Sequence, residues 1–393
     1  MKDADSRIWT RLQHSPAEKT KAGVNWDGLS RRESQLLLAC ARGRMRAKNG
    51  VRWGPVVEAA QRHRIAPMMA AQVDPAVVPE AARCRLAELV EKTRQRDQAA
   101  RQALAAIAAE AQRRAVPLLV FKGPLLSDSC YSPPELRTYY DLDLLVPRKD
   151  LESAERLMAE LGYAIPPLKS TDLFWMMGTR PTPVALEYFS PEETRELWLA
   201  NHFHFPFAPA GGETGVRVDL HWALFRMVQL HLPTREFWQR AQPIEIAGGQ
   251  AWTFCPADNL LYLCLHTGTD TYQRMRLIKL VDIVRVAERL TESEWNEIAE
   301  RISRYQVEKI FLLALWLAYR TAGRPLPEPA RRMNRSLLRL GLLGATLSPR
   351  AMLSCSSPWA DAAWDWALGQ AGLPLVGRAV DNAARQWVKR LVR

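Results

Sequence analysis

Two short segments with period-two alternation constrain this chain more than anything else in it. In Asp141-Leu142-Asp143-Leu144-Leu145-Val146, a strand puts Asp141 and Asp143 on one face and Leu142, Leu144 and Val146 on the other. Val216-Arg217-Val218-Asp219-Leu220-His221-Trp222 repeats the pattern, with Arg217, Asp219 and His221 sharing a face opposite Val218, Leu220 and Trp222. Such strands need a core beneath them, which excludes an all-helical chain. Like charges held at i and i+2 repel, and they persist in a folded protein mainly where a cation compensates. The alternative is an exposed strand end with two solvated aspartates. A third carboxylate, from Asp219 on a neighbouring strand, would complete a set able to hold two divalent cations roughly 4 Å apart for phosphoryl transfer. Magnesium prefers such hard oxygen ligands.

The surrounding texture is helix, then mixed, then helix. From Ser34 to about Ala115 the apolar spacing is helical, as in Val56, Val57 and Ala60, with a break near Arg64 and one long helix or two over 81–115. Pro117 ends this block, and Leu118-Leu119-Val120-Phe121 is expected as a short buried strand leading into Lys122-Gly123. After the Asp141 strand, Leu151, Ala154, Leu157, Met158 and Leu161 share a helical face that Gly162 terminates. Further strands are expected over 184–189 and 216–222, and a hairpin over 244–254 that turns at Gly248-Gly249. Helices follow near 256–268, 275–290, 293–304, 305–322 and 332–347. Phe203-His204-Phe205-Pro206-Phe207 has the look of a stacking platform, but aromatics beside a sheet are usually core. The expected class is α+β, a small mixed sheet flanked by N-terminal and C-terminal helical regions.

Composition narrows the context. With 393 residues, 48% of them hydrophobic, the chain can bury a substantial core over two or three domains. Its six cysteines are scattered without zinc spacing, which fits a reduced cytoplasm. The N-terminal segment lacks an apolar h-region, and the longest apolar run, Phe311 to Tyr319, is too short for a bilayer. A soluble, cytoplasmic protein with no transmembrane segment is expected. The net charge of +12 favours anionic partners in general, nucleic acid among them, and the arginine-rich composition behind it also follows from a high-GC genome.

Three stretches, FKGPLLSDSCYSPPELRTYYDLDLLVPRKDLESAERLMAELGY, VDLHWALF and LLYLCLHTGTDTYQRMRLIKLVDIVRV, together resemble the bacterial uncharacterised nucleotidyltransferases of the polymerase-β superfamily. The resemblance runs from about Val116 to Leu290, and its specificity lies in the order of the motifs. It implies a Mg²⁺-dependent transfer of a nucleotidyl group, with Asp141, Asp143 and Asp219 as catalytic metal ligands for two ions, and Mn²⁺ as an alternative. The nucleotide would be a triphosphate such as ATP, and the acceptor a peptide, sugar or small molecule of a tailoring pathway. In the superfamily a glycine followed by serine or glycine opens a helix and holds the triphosphate. Here Pro124 follows Gly123, so the helix start lacks one N–H, and Lys122 is the candidate for the missing charge.

Arg137 is close enough in sequence to Asp141 to bind phosphate or neutralise the carboxylates, with a structural salt bridge as the competing role. His221 would orient Asp219, contact substrate, or be merely structural. Over His266 to Asp282, Asp270 stands where the family usually has a second histidine. Lys279 is a phosphate candidate, with an i,i+3 ion pair to Asp282 as the stronger expectation.

The implied domains are 1–115 as an N-terminal helical region, 116–255 as the nucleotidyltransferase core, 256–347 as a helical domain and 348–393 as a tail. In that tail Val380, Ala383, Trp387, Val388 and Leu391 form an apolar stripe among basic residues, which suits an anionic lipid, a partner or the protein's own helices. Two rival functions are a nucleotide-binding scaffold without turnover and a nucleic-acid-binding module.

Overall fold

The computed structural model describes residues 29–46, 50–169, 189–210, 215–225, 230, 232–269 and 275–333. The tail, Asp270, most of the 184–189 segment and nearly all of 332–347 lie outside the described residues. The N-terminal block holds α1 (Arg31–Ala41), α2 (Trp53–Arg62), α3 (Ala66–Ala70) and α4 (Glu80–Arg113). The expected break is real: Arg64 takes φ 61°, in the left-handed region that interrupts a helix. The 81–115 stretch is one helix of 34 residues.

Next come β1 (Leu119–Phe121), α5 (Gly123–Cys130), β2 (Asp141–Leu145), α6 (Leu151–Glu160), β3 (Tyr163–Ala164), α7 (Pro191–Asn201), β4 (His204–Pro209), β5 (Arg217–His221), α8 (Thr234–Gln239), β6 (Gln242–Ile246) and β7 (Gly249–Thr253). The seven strands form one mixed sheet in the order β3-β4-β5-β2-β1-β7-β6. The hairpin turns one residue earlier than expected, on Ala247 and Gly248, both with positive φ, so that Gly249 opens β7. Two consecutive left-handed residues match the twist of the strands they join.

The chain continues through α9 (Pro256–Thr269), α10 (Leu277–Ala287), α11 (Glu292–Arg304), α12 (Glu308–Ala322) and α13 (Glu328–Arg332). Helices α9 and α12 cross where a Cβ on Gly268 would come within 2.5 Å of Ile310 Cγ1, so only glycine permits the approach. No helix among the described residues is long and apolar enough to cross a membrane.

Alternation along the strands divides the apolar residues between two cores. Leu142, Leu144, Val146, Val218, Leu220, Phe205 and Phe207 pack with α6 and the C-terminal half of α4. Phe205 and Phe207 are therefore core. Leu119, Phe121 and Leu145 point the other way and join α1 to α3, the N-terminal half of α4, and α9 to α12. This second face also carries the carboxylates.

Candidate active site

Strands β2 and β5 run parallel, with Asp141 opposite Arg217, Asp143 opposite Asp219 and Leu145 opposite His221. The three aspartates share the face turned away from Leu142 and Val218. Asp143, Asp219 and His221 bring ligand atoms within 4.8 Å of one another, close enough to hold one metal ion. The adjacent strand β4 sets His204 opposite His221, and His204 Nε2 stands 3.9 Å from Asp219 Oδ2.

His221 was expected beside Asp219, but its Nε2 lies 3.3 Å from Asp143 Oδ1. The approach is not aligned as a hydrogen bond, and neither ring nitrogen has an aligned partner among the described residues. Burial lowers the pKa of His221, and the Lys122 charge adds to the effect. Burial likewise holds His204 and His266 well below the usual histidine range. Neutral imidazoles keep a lone pair for a ligand.

Lys122 sits between β1 and α5 with φ 55°, a left-handed conformation that costs a non-glycine residue of order 1 kcal/mol or more. Its ammonium donates to Asp143 Oδ1 at 2.8 Å and lies 5.1 Å from the Tyr262 ring centre. Burial would depress this amine, and the Asp143 carboxylate more than offsets it, so the net shift is upward. Lys122 is thus a half-buried partner of a carboxylate. Gly123, with φ 42°, then opens α5 as the first residue of the helix, and Pro124 follows.

The two opposed carboxylates have been driven apart. Burial first, then the charges of Asp141 and Asp143, raise Asp219 well above the ordinary carboxylate range. Burial alone would raise Asp143 too, but Lys122 and His221 hold it well below that range. A buried acid pushed up by two like charges marks a place short of positive charge.

Arg137 has a different setting. Its Nε and Nη2 donate to Asp282 Oδ1 and Oδ2, each at 3.0 Å, and its Nη1 donates to Gly123 O at 3.1 Å. Tyr131 Oη donates to the same carboxylate at 2.5 Å. This geometry gives Arg137 the structural role of tying the Gly123 turn to α10 and leaves the guanidinium committed to protein. The Lys279–Asp282 pair expected from their spacing is replaced by the Arg137–Asp282 pair. Lys279 instead stands near His266, whose pKa its charge depresses after burial.

Of the neighbours of the site, Tyr262 was missed, and His204 and His266, though both lie in segments the sequence singles out, were not placed beside the carboxylates. Tyr262 and His266 stack with ring centres 5.6 Å apart on α9, and this helix approaches the carboxylates only through the tertiary fold. For His204 a signal existed: in Phe203-His204-Phe205-Pro206-Phe207, His204 lies on the opposite face from the core residue Phe205.

The ordered site residues fall inside a single match. A family described as uncharacterised nucleotidyltransferase matches residues 49–323. The chain belongs to this family. The match begins before α2 and ends after α12, so it spans both the sheet and the helices that cover its carboxylate face. No curated protein matches. Membership in this nucleotidyltransferase family points to nucleotidyl transfer and to a nucleotide as substrate.

Proposed function

We propose that this protein is a polymerase-β-type nucleotidyltransferase, akin to bacterial members, that moves a nucleotidyl group from a nucleoside triphosphate to an acceptor outside nucleic acid. The observation that carries the proposal is the register of β2 and β5, with Asp143 opposite Asp219 and Asp141 on the same face, beside the glycine that opens α5. Asp141, Asp143 and Asp219 would hold two Mg²⁺ ions. The donor set fits: Asp143 and Asp219 bring carboxylate oxygens into one cluster with His221, and Asp141 stands on the same face near enough for its charge to raise the proton affinity of Asp219. When bound, magnesium supplies charge neutralisation for the phosphates and a lowered pKa for the acceptor.

The chain's own residues supply the rest. The start of α5 offers backbone N–H groups and the positive end of the helix dipole to the phosphates. Lys122 brings a cation to the same turn. His221, neutral and buried, and His204, neutral and half-buried, stand beside Asp143 and Asp219 as further nitrogen ligands. Pro124 removes one donor, so the ammonium of Lys122 carries more of the phosphate contact than a lysine beside a serine would.

The second reading, a nucleotide-binding scaffold, draws on Lys122 already occupying an oxygen of Asp143. Calorimetry with each triphosphate, with and without Mg²⁺, followed by a mass-spectrometric screen for pyrophosphate and nucleotidylated acceptors, separates the two. Turnover is the expected result. Binding without pyrophosphate release across the screen favours the scaffold. Replacing Asp141 and Asp143 together with Asn should abolish Mg²⁺-dependent binding with the fold kept, and retained turnover in that variant refutes the assignment.

A further inference from the structure

A half-open cavity lies apart from the three aspartates, none of which lines it. The end of α1, the end of α5, α10 and α12 surround a cavity of about 410 Å³, within the range of small-molecule sites. Its wall is apolar where Val281 and Val284 of α10 face Ala318 and Ala322 of α12. Four arginines, Arg42, Arg285, Arg289 and Arg324, also line it, against the single carboxylate of Glu288.

The bonds these arginines make leave most of their charge in place. Arg324 pairs with Glu288. Arg42 Nε donates to Thr321 O at 2.7 Å, and Arg285 Nη1 donates to Cys130 O at 2.8 Å while its guanidinium stacks 4.0 Å from the Tyr131 ring centre. Carbonyl oxygens orient a guanidinium without neutralising it. Arg289 is exposed at the rim. Thr321, only 2% exposed, completes the wall, and its carbonyl is the oxygen that orients Arg42.

We propose that this cavity is a second binding site, for a small amphiphilic anion: a carboxylate or phosphate group on a short apolar body. The head group meets the guanidinium forks, and the body lies against Val281, Val284 and Ala318. Guanidinium groups pair with both oxyanions in bidentate fashion, so the shared chemistry is the planar pair of acceptor oxygens. The site does not depend on the nucleotidyl-transfer reading.

Calorimetry on the full-length chain tests it, with hexyl phosphate, hexanoate, hexanol and inorganic phosphate as probes. One molecule of hexyl phosphate or hexanoate should bind per chain, and the tighter of the two identifies the head group. Hexanol and inorganic phosphate should bind at least tenfold more weakly, because each lacks half of the chemistry. The Arg289→Ala, Arg324→Ala double variant should lose tenfold or more with its melting temperature kept. Arg289→Gln alone, at an exposed position, should weaken binding severalfold and serves if the double variant melts early. Asp143→Asn should bind the probes as the parent does. Absence of binding at millimolar probe, equal affinity for hexanol, affinity unchanged in both cavity variants, or loss of binding in Asp143→Asn would each overturn the proposal.

Discussion

Lys122 and Arg137 both bury a cation against an aspartate, and both touch the turn at Gly123, yet the two pairs are built on opposite terms. Around Asp282 every oxygen is claimed: two guanidinium nitrogens and the Tyr131 hydroxyl donate to it, and the remaining arm of Arg137 is spent on Gly123 O. Around Asp143 the ammonium of Lys122 is the only aligned donor among the described residues, His221 stands by misaligned, and Asp219 opposite is pushed toward its protonated form. A buried ion pair is stable when its lone pairs and protons are all met, and removing one partner then costs dearly. A cluster left short of positive charge is costly to keep, and it persists where something else is meant to bind. The saturated pair is architecture. The unsaturated one belongs to the proposed site.

The comparison breaks most visibly at Asp219. Asp219→Ala should leave Mg²⁺–nucleotide binding largely intact and reduce turnover a thousandfold or more, about 4 kcal/mol of transition-state stabilisation. Its melting temperature in metal-free buffer should hold or rise, since the repulsion from Asp141 and Asp143 is relieved. Pyrophosphate release measured beside thermal melting checks both, and near-normal turnover would remove Asp219 from the site.

Arg137→Met should behave the other way, losing about 3–5 kcal/mol of stability in urea titration because it strands a buried carboxylate. Arg137→Lys should recover only part, since an ammonium cannot span both Asp282 oxygens and Gly123 O. A stability loss below 1 kcal/mol for the methionine variant would deny the structural role.

Acid should separate the two regions by sign. His63 Nδ1 accepts the N–H of Leu277 at the start of α10, and burial, then Arg276 and Arg62, lower its pKa to about 3. A depressed folded pKa gives stability that is complete above the unfolded value of about 6.5 and drains away as pH falls toward 3. Asp219 is raised, so its effect is reversed: stability is gained as pH falls through its folded value and lost as pH rises. Melting curves in EDTA between pH 7 and 4 should therefore show a shallower acid loss in His63→Asn and a steeper one in Asp219→Asn. The slopes amount to a few kcal/mol, and identical slopes would contradict the assignment. The smallest effect belongs to Tyr131→Phe, which removes one charge-assisted bond from Asp282 and should cost about 1.5–3 kcal/mol with turnover per folded molecule unchanged.

Much of the site was legible because it rests on a local rule. Period-two alternation put Asp141, Asp143 and Asp219 on common faces, and the parallel register of β2 with β5 brings those faces together. The neighbours were not legible, because they arrive from afar. Arg137 and Asp282 are 145 residues apart, and nothing in the sequence around either residue names the other. Lys279, three residues from Asp282, offered a local partner that the fold declined. Proximity along a helix is worth only about 0.2–0.5 kcal/mol, too little to compete with a bidentate arginine in a buried wall. The helical blocks were placed well, because their apolar stripes are long, whereas the hairpin turn slipped by one residue, because Ala247 takes a left-handed φ that its side chain does not advertise.

Helix α4 has one further consequence. At about 50 Å it outreaches either core, and it places Ala82, Leu86 and Leu89 in one and Leu104, Ile107 and Ala111 in the other. Its second half also touches the hairpin so closely that a Cβ on Gly249 would stand 3.2 Å from the Ala108 backbone. Neither core can melt without stripping apolar surface that the same rod presents to its neighbour. The helix therefore couples the two into one cooperative unit, in which partial unfolding of the sheet alone is suppressed.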